Sequence, residues 1–90
     1  MTVARRYIIT GRVQGVGYRY FTVRAAERFG VAGTVRNMAD GSVEAVAEAA
    51  LEVLEQFRAE LERGPRFGRV DRIDEAPHTP SGLTTFRVLY

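Results

Sequence analysis

From Gly11 to Arg19 the chain reads Gly-Arg-Val-Gln-Gly-Val-Gly-Tyr-Arg, three glycines and a closing arginine at a point where a strand pattern gives way to a helical one. That combination is suited to holding an anion. The first N–H groups of a helix have no intrahelical partner and lie at the positive end of its dipole, so they attract a phosphate-sized ligand. Gly15 and Gly17 lack a Cβ and can turn the backbone so that several N–H groups converge on one point. Arg19 adds a planar guanidinium that can donate two parallel hydrogen bonds to phosphate oxygens. Two commoner phosphate loops do not fit the letters. A dinucleotide fingerprint starting at Gly15 would need a glycine where Tyr20 stands, and a nucleotide-binding P-loop would need Gly-Lys followed by Ser or Thr.

The elements that must position this loop can be read from hydrophobic spacing. Arg5 to Val13 alternates as a strand, with Tyr7, Ile9, Gly11 and Val13 on one face and Arg6, Ile8, Thr10 and Arg12 on the other. Residues 20 to 29 predict an amphipathic helix that turns Phe21, Ala25 and Phe29 to the core, stopped by Gly30. Thr34 to Met38 and Ser42 to Glu48 predict a hairpin around Asp40-Gly41. From Ala49 a second helix carries Ala50, Leu54, Phe57 and Leu61 on one stripe until Gly64-Pro65 ends it. Arg69 to Glu75 alternates poorly, which implies a bulged or exposed edge strand. Residues 76 to 82 have the composition of a loop, and Thr85 to Tyr90 close as a strand with Phe86, Val88 and Tyr90 on one face. The order predicts an α+β fold, a ferredoxin-like βαββαβ sandwich whose two helices cover one face of an antiparallel sheet, with the last strand region possible as two pieces.

Composition narrows the function classes. Ninety residues, 46% of them apolar, make one domain over 1–90. Thirteen basic and eleven acidic residues leave a formal charge of only +2, which supports attraction to small anions but calls for neither nucleic acid nor an anionic membrane. With no cysteine and one histidine, His78, there is no disulfide framework and no histidine or thiolate metal cage, so no cofactor is called for. The apolar segments are short and no secretory leader is recognisable, so a soluble, cytoplasmic monomer is expected. A ferredoxin-like sheet can also serve as an RNA platform, but Val43 to Ala47 offers no aromatic ring for base stacking.

Two stretches resemble the signatures of the acylphosphatases. Val13-Gln14-Gly15-Val16-Gly17-Tyr18-Arg19 is similar to the first, and Gly33-Thr34-Val35-Arg36-Asn37-Met38-Ala39-Asp40-Gly41-Ser42-Val43 to the second, in which an asparagine stands at fixed spacing between glycines. Leu54, Phe57 and Leu61 before Gly64-Pro65 look like the family's second helix, so the resemblance covers nearly the whole chain. Tyr18 stands where the family more often has phenylalanine, Thr34 replaces an aromatic residue, and Ala49 sits where glycine is common. The resemblance implies hydrolysis of the carboxyl-phosphate bond of a small acyl phosphate to a carboxylate and inorganic phosphate. It further implies that Arg19 binds the phosphate, that Gln14, Gly15, Val16, Gly17 and Tyr18 supply backbone donors, and that Asn37 orients the attacking water. Considered alone, Asn37 is a polar residue beside a turn. Its carboxamide nevertheless has an acceptor and two donor hydrogens, enough to hold a water on one side and a phosphoryl oxygen on the other. The competing reading is a ferredoxin-like module that binds small anions or RNA without catalysis; the chain's end at Tyr90 without a linker favours a free-standing enzyme.

Overall fold

The computed structural model describes residues 1–90 and contains seven elements: β1 (Val3–Arg12), α1 (Tyr18–Phe29), β2 (Ala32–Asn37), β3 (Val43–Ala49), α2 (Leu51–Arg63), β4 (Arg69–His78) and β5 (Phe86–Val88). The strands form one sheet in the order β4-β1-β3-β2-β5. All pairings are antiparallel except β2 with β5, which is parallel, so the ferredoxin-like sandwich stands with one correction to a purely antiparallel sheet. The parallel pair arises because the final segment does not turn back beside β4. It crosses to the opposite edge of the sheet, and past Val88 the N–H of Leu89 still donates to the carbonyl of Val35 at 2.8 Å.

Strand alternation divides the sheet into a covered and an uncovered face. Tyr7 and Ile9 of β1, Val35 of β2, and Val43, Ala45 and Ala47 of β3 join Ala25, Ala26, Leu54, Phe57 and Leu61 of the helices in one buried cluster. The alanines of β3 leave room for helices to lie close above the sheet's centre. Tyr7 meets the ring of Phe57 edge-on at 6.2 Å, an arrangement aromatic quadrupoles favour. On the uncovered face the nearly buried carboxylate of Glu44 accepts hydrogen bonds from Arg6 at 2.6 Å and Arg36 at 2.9 Å, tying β1, β3 and β2 together. Burial alone would raise the Glu44 carboxyl, but these two guanidinium groups overcome it and hold it below the ordinary glutamate range.

The stripe of α2 is as the spacing predicts for Leu54, Phe57 and Leu61, but the helix starts at Leu51 and not at Ala49: Ala49 ends β3, and Ala50 is the extended cap residue outside the helix. That of α1 is rotated. Tyr18, Thr22, Ala25 and Ala26 are its buried residues, Phe29 only flanks the core, and Phe21 lies half-exposed against the Tyr18 ring at 5.8 Å. The small side chains face the sheet because bulky ones would hold the helix away, and Thr22 satisfies its hydroxyl by donating to the Tyr18 carbonyl at 2.9 Å. The strand expected over 69 to 75 runs on to His78, where loop was expected, because the start of β1 supplies partners: Arg5 lies opposite Pro77 and Ala4 opposite His78. Pro77 is tolerated there since β4 is an edge strand and needs no second donor. The expected bulge is present, with the register shifting between Thr10 and Gly11 as β4 inserts Asp71 between Arg72 and Val70. No helix is long and apolar enough to cross a membrane.

Candidate active site

The loop between β1 and α1 delivers a helix start with no internal cap. Gly17 occupies the cap position in the left-handed conformation (φ 80°), no side chain caps the first turn, and that turn contains no acidic residue. Gly15 is left-handed as well (φ 75°), and the N–H groups of residues 14–17 find no backbone acceptor in the chain. Unmatched donors at the positive end of a helix, with no carboxylate beside them, are chemically suited to an anion. Tyr18 anchors the helix start from below. It is buried, its hydroxyl donates to the Leu61 carbonyl at 2.7 Å, and burial pushes its phenol well above the ordinary tyrosine value. Leu61 lies in the last turn of α2, where carbonyls have no intrahelical partner, so the hydroxyl that distinguishes tyrosine from phenylalanine joins the two helices.

Asn37 is the last residue of β2, opposite Val43 of β3, on the same sheet face as Val35 and so on the side that carries the helices. The β2–β3 turn that follows is held from within. The backbone N–H and hydroxyl of Ser42 both donate to Asp40 Oδ1, at 2.9 and 2.6 Å, and these bonds, the hydroxyl's first, lower the Asp40 carboxyl. Gly33, at the other end of β2, is required for close approach: a Cβ there would lie 1.8 Å from the Val46 carbonyl oxygen.

One cleft of about 300 Å³ brings Gly15, Gly17, Tyr18 and Arg19 together with Asn37. Arg19 is half-buried, makes no ion pair, and has its guanidinium 5.1 Å from the centre of the Tyr90 ring. The carboxamide oxygen of Asn37 is buried and has no hydrogen-bond partner. A buried acceptor left unmatched costs about 1–3 kcal/mol, so this oxygen is chemically able to accept from a small donor. No group of three or more His, Cys, Asp or Glu side chains is placed to hold a metal ion.

Gln14 and Val16 stand apart from the cleft residues. The Gln14 carboxamide turns to the β2–β3 hairpin and donates to the carbonyls of Met38 and Ser42 at 2.8 and 2.9 Å, while Val16 lines a neighbouring groove. Reading the sequence missed this fastening, and it also missed Val13, Tyr20, Val23, Val88 and Tyr90 as cleft-lining residues. The shared face of Val88 and Tyr90 was visible in the alternation of the last strand, but not the parallel pairing with β2 that carries them to Arg19. Thr34, one residue from Val35, lies on the opposite sheet face and is not among the cleft-lining residues.

Comparison with known proteins identifies the family. The family model described as acylphosphatase matches residues 5–88. An acylphosphatase from Koribacter versatilis is 49% identical over 87 residues, covering 93% of this chain and 77% of that protein. One from Nitrobacter winogradskyi is 47% identical over 85 residues, covering 94% of this chain and 86% of its own length. The crystal structure of acylphosphatase from Bacillus subtilis superposes with a TM-score of 0.95 at 36% identity, over 98% of this chain and 99% of that one. With a glycine loop, an arginine and an asparagine gathered in one cleft of a ferredoxin-like sandwich, and with relatives of this similarity across its length, the chain belongs to the acylphosphatase family of hydrolases.

Proposed function

We propose that this protein hydrolyses acyl phosphates by direct attack of water on phosphorus, with Arg19 and the N–H groups of Gln14, Gly15, Val16, Gly17 and Tyr18 holding the phosphoryl group and Asn37 holding the water. Hydrolysis of an acyl phosphate is the activity that family and fold support. The assignment of roles rests on one observation: Asn37, whose carboxamide oxygen is buried and unmatched, lines the same cleft as Arg19 and the glycine loop. A water donating one hydrogen to that oxygen would have its lone pair free to face phosphorus, in line with the departing carboxylate.

The chemistry asks little else of the protein. The leaving group is a carboxylate whose conjugate acid has a pKa of about 4, so it departs without being protonated. Charge on the transferring phosphoryl oxygens is met by the guanidinium and the loop N–H groups, which are in place before reaction, and such transfers depend chiefly on positioning and electrostatic stabilisation. The proton of the attacking water passes to a phosphoryl oxygen of the substrate, so no side-chain base is required. A phosphate monoester, which expels a poor alkoxide or phenoxide, should survive the same site.

The test is phosphate release from benzoyl phosphate, with phenyl phosphate as control, for the native protein and for Asn37→Ala. The native protein is expected to release phosphate from benzoyl phosphate alone. The variant is expected to bind inorganic phosphate nearly as well while its kcat falls roughly a hundred- to a thousandfold, the usual loss when one preorganised stabilising group is removed. An unchanged kcat in Asn37→Ala would refute the water-holding role, and no turnover of benzoyl phosphate by the native protein would refute the activity.

A further inference from the structure

Beside the cleft, sharing Gly17 and Tyr20 with it, a second concavity of about 610 Å³ runs along α1 toward the connection between α2 and β4. Its charges are lopsided: Arg24, Arg28, Arg63 and Arg66 line it against one acid, Glu60. Glu60 is already engaged, lying 2.6 Å from Arg63 and 3.9 Å from Arg28. Arg24 and Arg66 have no carboxylate partner. Their guanidinium groups lie instead over aromatic rings, Arg24 at 5.7 Å from the ring centre of Tyr20 and Arg66 at 5.5 Å from that of Phe67. Both rings are exposed, 66% for Tyr20 and 74% for Phe67, although large aromatic side chains ordinarily contribute to a core. The protein thus keeps two uncompensated cations and two flat apolar surfaces together at the mouth of its site.

From this we infer that the groove receives the acid portion of the substrate, and that the preferred substrate is an acyl phosphate whose acid carries a second anionic group beyond a flat or apolar spacer. The inference rests on the function proposed above, because it takes the phosphoryl group to sit on the glycine loop. With that end fixed, an acid directed into this groove passes Gly17 and Tyr20, the two residues common to both concavities. Arg24 follows Gly17 by seven residues, about 10 Å along the helix axis, and side chains on a helix slant back toward its N-terminus. Its guanidinium therefore meets a group roughly three to five atoms beyond the acyl carbonyl. A carboxylate or phosphate there accepts charge-assisted hydrogen bonds from Arg24 and Arg66, while the spacer lies against the Tyr20 and Phe67 rings. Arg24 and Arg66 are in this reading specificity residues and take no part in the bond-breaking step.

Two synthetic substrates test the inference, benzoyl phosphate and 4-carboxybenzoyl phosphate, which have leaving groups of similar acidity and differ in the distal charge. The quantity read is the ratio of their kcat/KM values, which does not depend on how much of a preparation is folded. Exposed ion pairs are individually weak, so the native protein is expected to prefer the carboxylated substrate by about three- to tenfold at low ionic strength, less as salt is added. In the double variant Arg24→Ala, Arg66→Ala the ratio is expected to fall to about one, and in Arg24→Lys, Arg66→Lys most of it should return. A native ratio of one, with benzoyl phosphate turned over normally, would overturn the inference and leave the proposed activity standing. A preference that survives in the double alanine variant would also overturn it. Failure to hydrolyse either compound would remove the activity and this inference with it.

Discussion

Asn37 and Arg19 are prepared for their proposed work in opposite ways. The asparagine is fixed by the ladder between β2 and β3 and has an oxygen that the protein leaves unmatched. The arginine is half-exposed, free of carboxylates, and rests over the Tyr90 ring, an apolar support that orients the guanidinium without neutralising it. Carboxylate pairing would compete with phosphate for the same donors; an aromatic face does not. Arg19→Ala is therefore expected to lose phosphate affinity and turnover together, with kcat/KM down at least a hundredfold. Titration calorimetry with inorganic phosphate and steady-state kinetics on benzoyl phosphate check it, and retained phosphate affinity would count against the loop as an anion receptor.

Among the elements, alignment of the glycine loop with the hairpin matters most, and Gln14 provides it. Its two hydrogen bonds to the Met38 and Ser42 carbonyls fasten the loop to the residue that follows Asn37. Gln14→Ala should remain folded with a loss of about 1 kcal/mol per bond, since the Met38 and Ser42 carbonyls still accept from the N–H groups of Gly41 and Met38, and should lose kcat/KM more steeply than stability because loop and carboxamide no longer keep register. Urea titration beside turnover measurements separates the two effects. Local spacing exposed the elements that make up this arrangement: the 15–19 loop, the Asp40-Gly41 turn and the Leu54, Phe57, Leu61 stripe are all near-neighbour patterns. The reach of β4 to His78, the rotation of α1 and the partner of β5 were hidden, since each depends on what lies across the sheet. The side-chain bonds of Gln14 were hidden for a similar reason: acceptors that are backbone carbonyls 24 and 28 residues away leave no local trace.

For the molecule as a whole, ion pairing is concentrated away from the cleft, and the clearest case is Glu44 between Arg6 and Arg36. Its carboxyl is held below the ordinary glutamate value in the folded state, so the resulting stabilisation is complete above that ordinary value and is lost as pH falls through the lower, folded one. Glu44→Gln should consequently lower the urea midpoint at pH 7, and its difference from the native protein should narrow as pH falls below the ordinary glutamate range and the native carboxylate takes up a proton. A gap of constant size across that range would show that Glu44 acts by packing. Glu48 is buried on the same strand and accepts from the N–H groups of Ser81, Gly82 and Leu83, at 2.8, 3.1 and 3.3 Å, steering the connection that brings β5 to the far edge. That crossing has a consequence for biosynthesis. Because the cleft is walled at once by residue 13 and by residues 88 and 90, the pocket stays open on one side until β5 has been made and has docked beside β2.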